Sequence, residues 1–387
     1  MKKKIAILGS TGSIGKTLIE IIKKDKKNFK IELLTANTNY QEILNQAKIF
    51  NVKNIIITDK KSYLKLKKKK LGNIKIYNNF NSLNIIFKNK IDYVMSSIVG
   101  VQGLDPTFRM VKFTKNIAIA NKESIICAWS LIEKKLKRSK TKFIPVDSEH
   151  FSIWSLLKNE SVDCVEKVII TASGGPFLNY KLNKLKNVKP KEAIKHPNWN
   201  MGKKISIDSA TLMNKVFEII EAQRIFKIDI KKFEILIHPK SYIHAIVKFI
   251  NGQIKILAHD TDMKIPIFNS IYQKKLKKIH TNKIDINLLN NLTLSKVNPS
   301  RYSSIKILNK INNNNTLFET VLISANDELV DLYIDNKIKF LEINKNLIKI
   351  LKYKKYSNLI KKKPKKISDI INLSEEVRLK TRNLCIQ

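Results

Sequence analysis

The chain has 387 residues, 43% of them apolar, more than one hydrophobic core usually supports, which predicts two or three domains. Its formal net charge of +42 invites a nucleic-acid reading, but only six of the 74 basic residues are Arg and the lysines are spread along the chain. The lysine runs at 67–70 and 361–366 lack the interleaved aromatics that stack bases, so no nucleic-acid partner is expected. No segment approaches the roughly 18 consecutive apolar residues of a membrane span, so no membrane partner is expected either.

Residues 4–8, Lys-Ile-Ala-Ile-Leu, predict a buried strand. It runs into a glycine turn and an amphipathic helix over 16–24. Strands follow at 31–34, 54–57, 93–96 and 117–120, with a helix over 41–50. Strands alternating with helices predict a doubly wound parallel sheet over 1–147. A second α/β region is expected over 148–275, with strands at 167–171, 234–237 and 243–249. Within it, 173–203 reads as a long loop with a short helix near 190–194; loops of that length are commonly lids or binding loops. Residues 276–300 are polar and Asn-rich and read as a linker. From 301 to 387 the apolar spacing, as in Leu317, Val321, Leu322, Ala325, Leu329 and Leu332, predicts a C-terminal helical domain.

The three cysteines, Cys127, Cys164 and Cys385, are odd in number, far apart and not in a C-x-x-C pattern. They predict neither a disulfide framework nor a zinc site and fit a reducing, cytoplasmic compartment. The opening M-K-K-K-I-A-I-L-G-S has too short an apolar run for a secretory signal.

Several motifs carry chemistry. Gly9-Ser10-Thr11-Gly12-Ser13-Ile14-Gly15 follows a strand and opens a helix, where backbone N–H groups bind a dinucleotide pyrophosphate. The second strand ends in Thr35-Ala36-Asn37-Thr38-Asn39, without the Asp or Glu that holds an NAD ribose, which favours NADP. Asp147-Ser148-Glu149 follows an apolar run, and its two carboxylates would point the same way in an extended segment. With Glu218 as third ligand they would make an all-oxygen site for Mg²⁺ or Mn²⁺. His150 reads as structural, as do His238 and His244.

The fourth motif is Lys204 to Glu218, K-I-S-I-D-S-A-T-L-M-N-K-V-F-E, read as a short strand, a turn and a helix. The helix puts Asn214, Lys215 and Glu218 on one face, with the Ser209 hydroxyl near its start. The lysine and the hydroxyl suit a phosphate, the carboxylate a hard metal ion. Asn121-Lys122-Glu123 ends another strand, where Lys122 could polarise a carbonyl. Ser173-Gly174-Gly175-Pro176-Phe177 and His196-Pro197-Asn198-Trp199 bracket the long loop. The first could form an anion nest, and Trp199 could close over a ligand. A plain NAD(P)-dependent dehydrogenase would share the glycine turn but needs no carboxylate trio.

Taken in order, G-S-T-G-S-I-G, N-K-E-S, P-V-D-S-E-H, S-G-G-P-F, H-P-N-W-x-M-G and S-I-D-S-A-T-x-M-N-K-x-x-E resemble the 1-deoxy-D-xylulose 5-phosphate reductoisomerase family. The resemblance spans residues 5 to about 265. It implies rearrangement of 1-deoxy-D-xylulose 5-phosphate and its NADPH-dependent reduction to 2-C-methyl-D-erythritol 4-phosphate, in non-mevalonate isoprenoid biosynthesis. By that resemblance Asp147, Glu149 and Glu218 hold the metal, and Ser148 and Lys122 contact the reacting oxygens. Ser173, His196, Ser209, Asn214 and Lys215 bind substrate, mostly at its phosphate. Thr11, Gly12, Ser13, Ile14, Asn121, Glu123 and Gly202 bind NADPH, together with the Asn37-Thr38-Asn39 turn. Trp199 and Met201 lie on the closing loop. The family often carries a basic Gly-Lys-Asn turn where this chain has Asn37-Thr38-Asn39. A homodimer is implied by the family alone.

Overall fold

The computed structural model describes the whole chain except residues 70, 200, 274–276 and 387. Two compact units emerge. The first comprises Met1–Ile125, Ser130–Asp147 and Met263–Ile279; the second comprises Ile126–Trp129, Ser148–Asp262 and His280–Gln387.

In the first unit seven strands form one parallel sheet. They are β1 (Lys3–Leu8), β2 (Phe29–Ala36), β3 (Asn54–Ile57), β4 (Lys75–Tyr77), β5 (Tyr93–Ser96), β6 (Asn116–Ile119) and β7 (Lys142–Pro145), ordered β4-β3-β2-β1-β5-β6-β7. Ile5, Ala6, Ile7 and Leu8 are fully buried, as expected of a strand covered on both faces. The order reverses between β1 and β5, the crevice where open α/β sheets bind ligands. The Ser13–Lys23 helix buries Leu18, Ile21 and Ile22 on one stripe into the same core as Ile5 and Ile7.

The second unit is built on a mixed sheet, β11-β10-β8-β9-β12, from β8 (Val165–Ala172), β9 (Phe233–Ile237), β10 (Ile243–Phe249), β11 (Ile254–Ala258) and β12 (Ser295–Lys296). The Met213–Phe226 helix is buried along nearly its whole length. Its Arg224 meets Glu319 of the Phe318–Ile334 helix at 2.6 Å, both side chains almost wholly shielded from water. Removing one partner of such a pair costs about 3–5 kcal/mol, because the other charge stays buried. The Phe340–Leu351 and Ile367–Ile386 helices pack on Phe318–Ile334 and complete the helical part of the unit. Among the described residues no helix is long and apolar enough to cross a membrane.

Four sequence expectations are corrected. The start of the Lys204–Glu218 motif is not a strand but part of a helix, Lys203–Ala210. Lys204 and Asp208, one helical turn apart, meet Asp327 at 2.5 Å and Asn326 at 2.7 Å, and those tertiary bonds override a short apolar alternation. Asp147 and Glu149 do not share an extended segment, since a helix, Ser148–Leu156, begins between them. The Lys264–Tyr272 helix, expected in the second region, belongs to the first unit: Tyr93 and Ser270 hydroxyls bond at 2.7 Å, and the Tyr272 hydroxyl reaches Asp25 at 2.9 Å. The stretch read as a linker contains a helix, Ile286–Asn290, and β12. The expected boundary at 275–276 lies outside the described residues.

Candidate functional site

The glycine turn closes β1 against the Ser13–Lys23 helix. The Gly9 N–H donates to Thr35 Oγ1 at 2.9 Å, and a Cβ on Gly15 would lie 2.6 Å from the Ser10 Cα, so the turn is pressed onto its neighbours. Gly12 is the N-cap of the helix, no side chain caps it, and the first turn has no acid. The first helical N–H groups and the positive end of the dipole are thus available to an anion. Gly12 and Ser13 are exposed, Thr11 and Ile14 half-buried. This donor set fits a pyrophosphate.

Asn37, Thr38 and Asn39 are exposed at the end of β2. The Asn39 carboxamide oxygen caps the Tyr40–Phe50 helix by accepting from the Glu42 N–H at 3.2 Å. The Ser62 hydroxyl donates to the Thr38 carbonyl at 3.1 Å, tying the start of a further helix to this turn. Asn121 caps the Lys122–Arg138 helix, and its amide donates to the Ile98 and Gly100 carbonyls at 2.7 and 2.9 Å and to Glu123 at 2.9 Å. Its side chain is therefore spent on the protein, holding the loop after β5 against the helix start. Glu123 is buried beside it, and Lys122 is half-buried at the first helical position.

The acidic trio comes together. One ligand oxygen each from Asp147, Glu149 and Glu218 lies within 4.8 Å of the others. Asp147 is held there by the chain itself, two residues before Glu149. Lys215 reaches Glu218 at 2.5 Å and also bonds Glu149, and Asn214 bonds Glu218 across one helical turn. Burial alone would push the Glu149 carboxyl up, but the Lys215 ammonium and the Ser148 hydroxyl hold it well below the usual carboxylate range. Burial would pull Lys215 down, yet its two carboxylates raise it above an ordinary lysine. Three carboxylates against one ammonium leave a net charge of −2 when all are ionised, which a divalent cation would balance. All-oxygen donors suit Mg²⁺ or Mn²⁺. His150 is not part of the trio; its Nε2 lies 2.9 Å from the Glu218 carbonyl oxygen and braces the helix that carries Glu218.

Ser173 and His196 bring the two ends of the long loop together, Nε2 to Oγ at 2.9 Å. The backbone N–H groups of Asn198 and Trp199 both donate to His196 Nδ1, at 3.2 and 3.0 Å. Burial, and next the charge of Lys215, pull His196 down to about 4, so the ring is neutral near pH 7. Its one proton therefore sits on Nε2 and is donated to Ser173. Ser173 Oγ also accepts the Gly175 N–H at 3.1 Å. With both lone pairs taken, the Ser173 hydroxyl is left as an outward donor, the role a phosphate oxygen needs. Ser209, near the end of the Lys203–Ala210 helix, lies against the same turn: a Cβ on Gly175 would come 2.9 Å from the Ser209 carbonyl oxygen. Gly202 caps that helix, and Met201 is half-buried beside it.

His244 does more than fill the core. Trp199 packs edge-on to it at 6.0 Å, and it stacks on His259 at 3.8 Å. Burial, then the neighbouring His259, pull it down to about 3, so it packs as a neutral ring. Its Nε2 lies 3.1 Å from the His259 carbonyl oxygen. His259 escaped the sequence reading because it stands in no motif, and only folding sets it against His244.

Comparison with known proteins gives one answer along the chain. A family model described as 1-deoxy-D-xylulose 5-phosphate reductoisomerase matches residues 5–129, its C-terminal domain matches 143–226, and a second C-terminal domain model matches 259–380. A 1-deoxy-D-xylulose 5-phosphate reductoisomerase of Pelagibacter ubique (strain HTCC1062) is 58% identical over 99% of this chain and 100% of its own length. Another, from Wolbachia pipientis subsp. Culex pipiens (strain wPip), is 37% identical over 99% of both. Among solved structures, the reductoisomerase from Zymomonas mobilis in complex with NADPH superposes with a TM-score of 0.88 at 30% identity, covering 100% of this chain and 99% of that one. A DOX-P reductoisomerase in complex with NADPH, fosmidomycin and magnesium gives 0.89 at 28% identity, covering 98% of each.

Proposed function

Since the chain belongs to the 1-deoxy-D-xylulose 5-phosphate reductoisomerase family, we propose that it rearranges 1-deoxy-D-xylulose 5-phosphate and reduces the product with NADPH to 2-C-methyl-D-erythritol 4-phosphate, serving non-mevalonate isoprenoid biosynthesis. The observation that carries the reading is the gathered trio Asp147, Glu149 and Glu218, which a plain dehydrogenase does not need. Incubation with that substrate, NADPH and Mg²⁺, with the product identified by mass and NMR, tests it.

Asp147, Glu149 and Glu218 would hold the divalent metal. When bound, the metal supplies Lewis acidity toward the ketone and its neighbouring hydroxyl, and NADPH supplies the hydride. Glu149 is kept ionised by Lys215 and Ser148, the state a ligand must have. Ser148 and Lys122 contact the reacting oxygens. Ser173 donates its hydroxyl to the phosphate, with Ser209, Asn214, Lys215 and His196 around it. Thr11, Gly12, Ser13, Ile14, Asn37, Thr38, Asn39, Glu123 and Gly202 line the cofactor's binding site, and Asn121 contributes through its backbone. Trp199 and Met201 ride on the loop 173–203, whose closure excludes water.

In this reading the parallel-sheet unit binds NADPH, the mixed-sheet unit carries the substrate site with Glu149 and Glu218, and the helices of 301–387 support it. The protein acts as a homodimer, a reading supported by the edge strand β11, where Ile254 and Ile256 are 60% and 55% exposed. Cys127, Cys164 and Cys385 are not joined in disulfides, which supports a cytoplasmic location.

A further inference from the structure

Arg301-Tyr302-Ser303-Ser304 lies outside every motif read from the sequence, yet it grips the substrate-binding turns by their backbone. The Tyr302 hydroxyl, on a residue 4% exposed, donates to the Gly174 carbonyl at 2.8 Å. The Arg301 guanidinium donates to the Phe177 carbonyl and, at 2.7 Å, to that of Tyr180. The buried Ser304 hydroxyl donates to the Thr211 carbonyl at 2.6 Å.

The acceptors matter more than the number of bonds. The Gly174 C=O and the Gly175 N–H belong to one rigid peptide plane. Tyr302 holds its oxygen end, and Ser173 Oγ takes its N–H end at 3.1 Å. Gly174 and Gly175 stand at φ +80° and +71°, and glycines tolerate either sign of φ. Loss of the Tyr302 hydroxyl frees the oxygen end of this peptide, and rotation of the plane takes the N–H from Ser173. The Ser173 hydroxyl would then turn inward to satisfy its own partners. Thr211 sets the second turn. It precedes Leu212, at φ 62°, a left-handed conformation unusual for a branched residue, and the chain then enters the helix bearing Asn214 and Lys215. One four-residue segment thus fixes both turns.

We infer that Arg301, Tyr302 and Ser304 are positioning residues for the substrate's phosphate group, locking the Gly174–Gly175 peptide and the Thr211–Leu212 turn in register. The inference rests on the proposed reading of Ser173, Ser209, Asn214 and Lys215 as the phosphate site. Tyr302→Phe should raise KM for 1-deoxy-D-xylulose 5-phosphate about five- to tenfold, the scale of one buried hydrogen bond, with kcat within about twofold. The kcat/KM for unphosphorylated 1-deoxy-D-xylulose and the NADPH Kd should not move. Ser304→Ala should act in the same direction, which keeps the test open where Tyr302→Phe folds poorly. Tyr356→Phe, which loses a 3.0 Å hydroxyl bond to Glu376, is the control and should leave all four constants unchanged. Equal loss on both sugars, or a fall in Tm with unchanged KM, overturns the inference by showing a merely structural role. A wild-type enzyme without preference for the phosphorylated sugar overturns the phosphate reading itself, and that result is seen before any variant is made.

Discussion

His196 Nε2 lies 2.9 Å from Ser173 Oγ, while Nδ1 of the same ring accepts two backbone N–H groups. The arrangement requires a neutral ring protonated on Nε2. Its ordinary value of 6.5 is pulled to about 4 by burial and then by Lys215. A folded-state value below the unfolded one means that the ring's contribution to stability is fully present above pH 6.5 and is lost as pH falls from 6.5 through 4. Ring-nitrogen NMR should therefore show the Nε2–H tautomer at pH 7 and titration near 4. A substrate phosphate has its second ionisation near 6, so a change in KM centred near pH 6 belongs to the substrate rather than to His196. A His196 titration between 6 and 7 contradicts this arrangement.

Glu149→Gln and Glu218→Gln each remove one ionised oxygen ligand from the trio. Turnover should fall about a hundredfold or more, since even residues behind metal ligands cost 10–100-fold. The Mg²⁺ concentration for half-activity should rise, and the NADPH Kd should stay within about twofold. Fluorescence titration with NADPH separates the two; loss of NADPH binding alongside turnover counts against the assignment.

At the cofactor turn, Asn37, Thr38 and Asn39 are exposed and carry no acid. NADPH should be preferred over NADH, as judged by kcat/KM, but modestly, for want of a basic residue in the turn. Thr38→Lys should tighten NADPH and leave NADH unchanged, because one added charge meets only the 2′-phosphate. An unchanged NADPH Kd would show that the turn faces elsewhere.

Trp199 is half-buried and packs edge-on to His244 at 6.0 Å. In a Trp129→Phe, Trp154→Phe background its emission should shift to the blue on adding substrate and metal. Trp199→Ala should lower kcat as well as raise KM, because closure assembles the site. A change confined to KM argues that Trp199 binds without closing anything.

Much of this site was legible in one sequence because it sits in compact motifs at strand ends. Strands 54–57, 93–96 and 243–249 were read at their observed bounds, since each is a buried β-rich run between turn signals. What escaped depends on distant partners. Lys204 to Asp208 alternates like a strand, and only Asn326 and Asp327 reveal a helix. The bonds from Arg301, Tyr302 and Ser304 go to backbone carbonyls, which no residue pattern advertises. β11 was missed because an exposed edge strand such as Ile254–Ala258 lacks the buried apolar run of its neighbours.

The central claim is metal-dependent turnover of a phosphorylated ketose with NADPH. The most direct measurement is NADPH oxidation at 340 nm, roughly the absorbance maximum of the reduced nicotinamide, with 1-deoxy-D-xylulose 5-phosphate before EDTA, after EDTA, and after Mg²⁺ is restored. The account predicts oxidation that EDTA abolishes and Mg²⁺ restores in the wild type, with Glu218→Gln slower by about a hundredfold or more when Mg²⁺ is present. Oxidation that survives EDTA, or equal activity in Glu218→Gln, would contradict it.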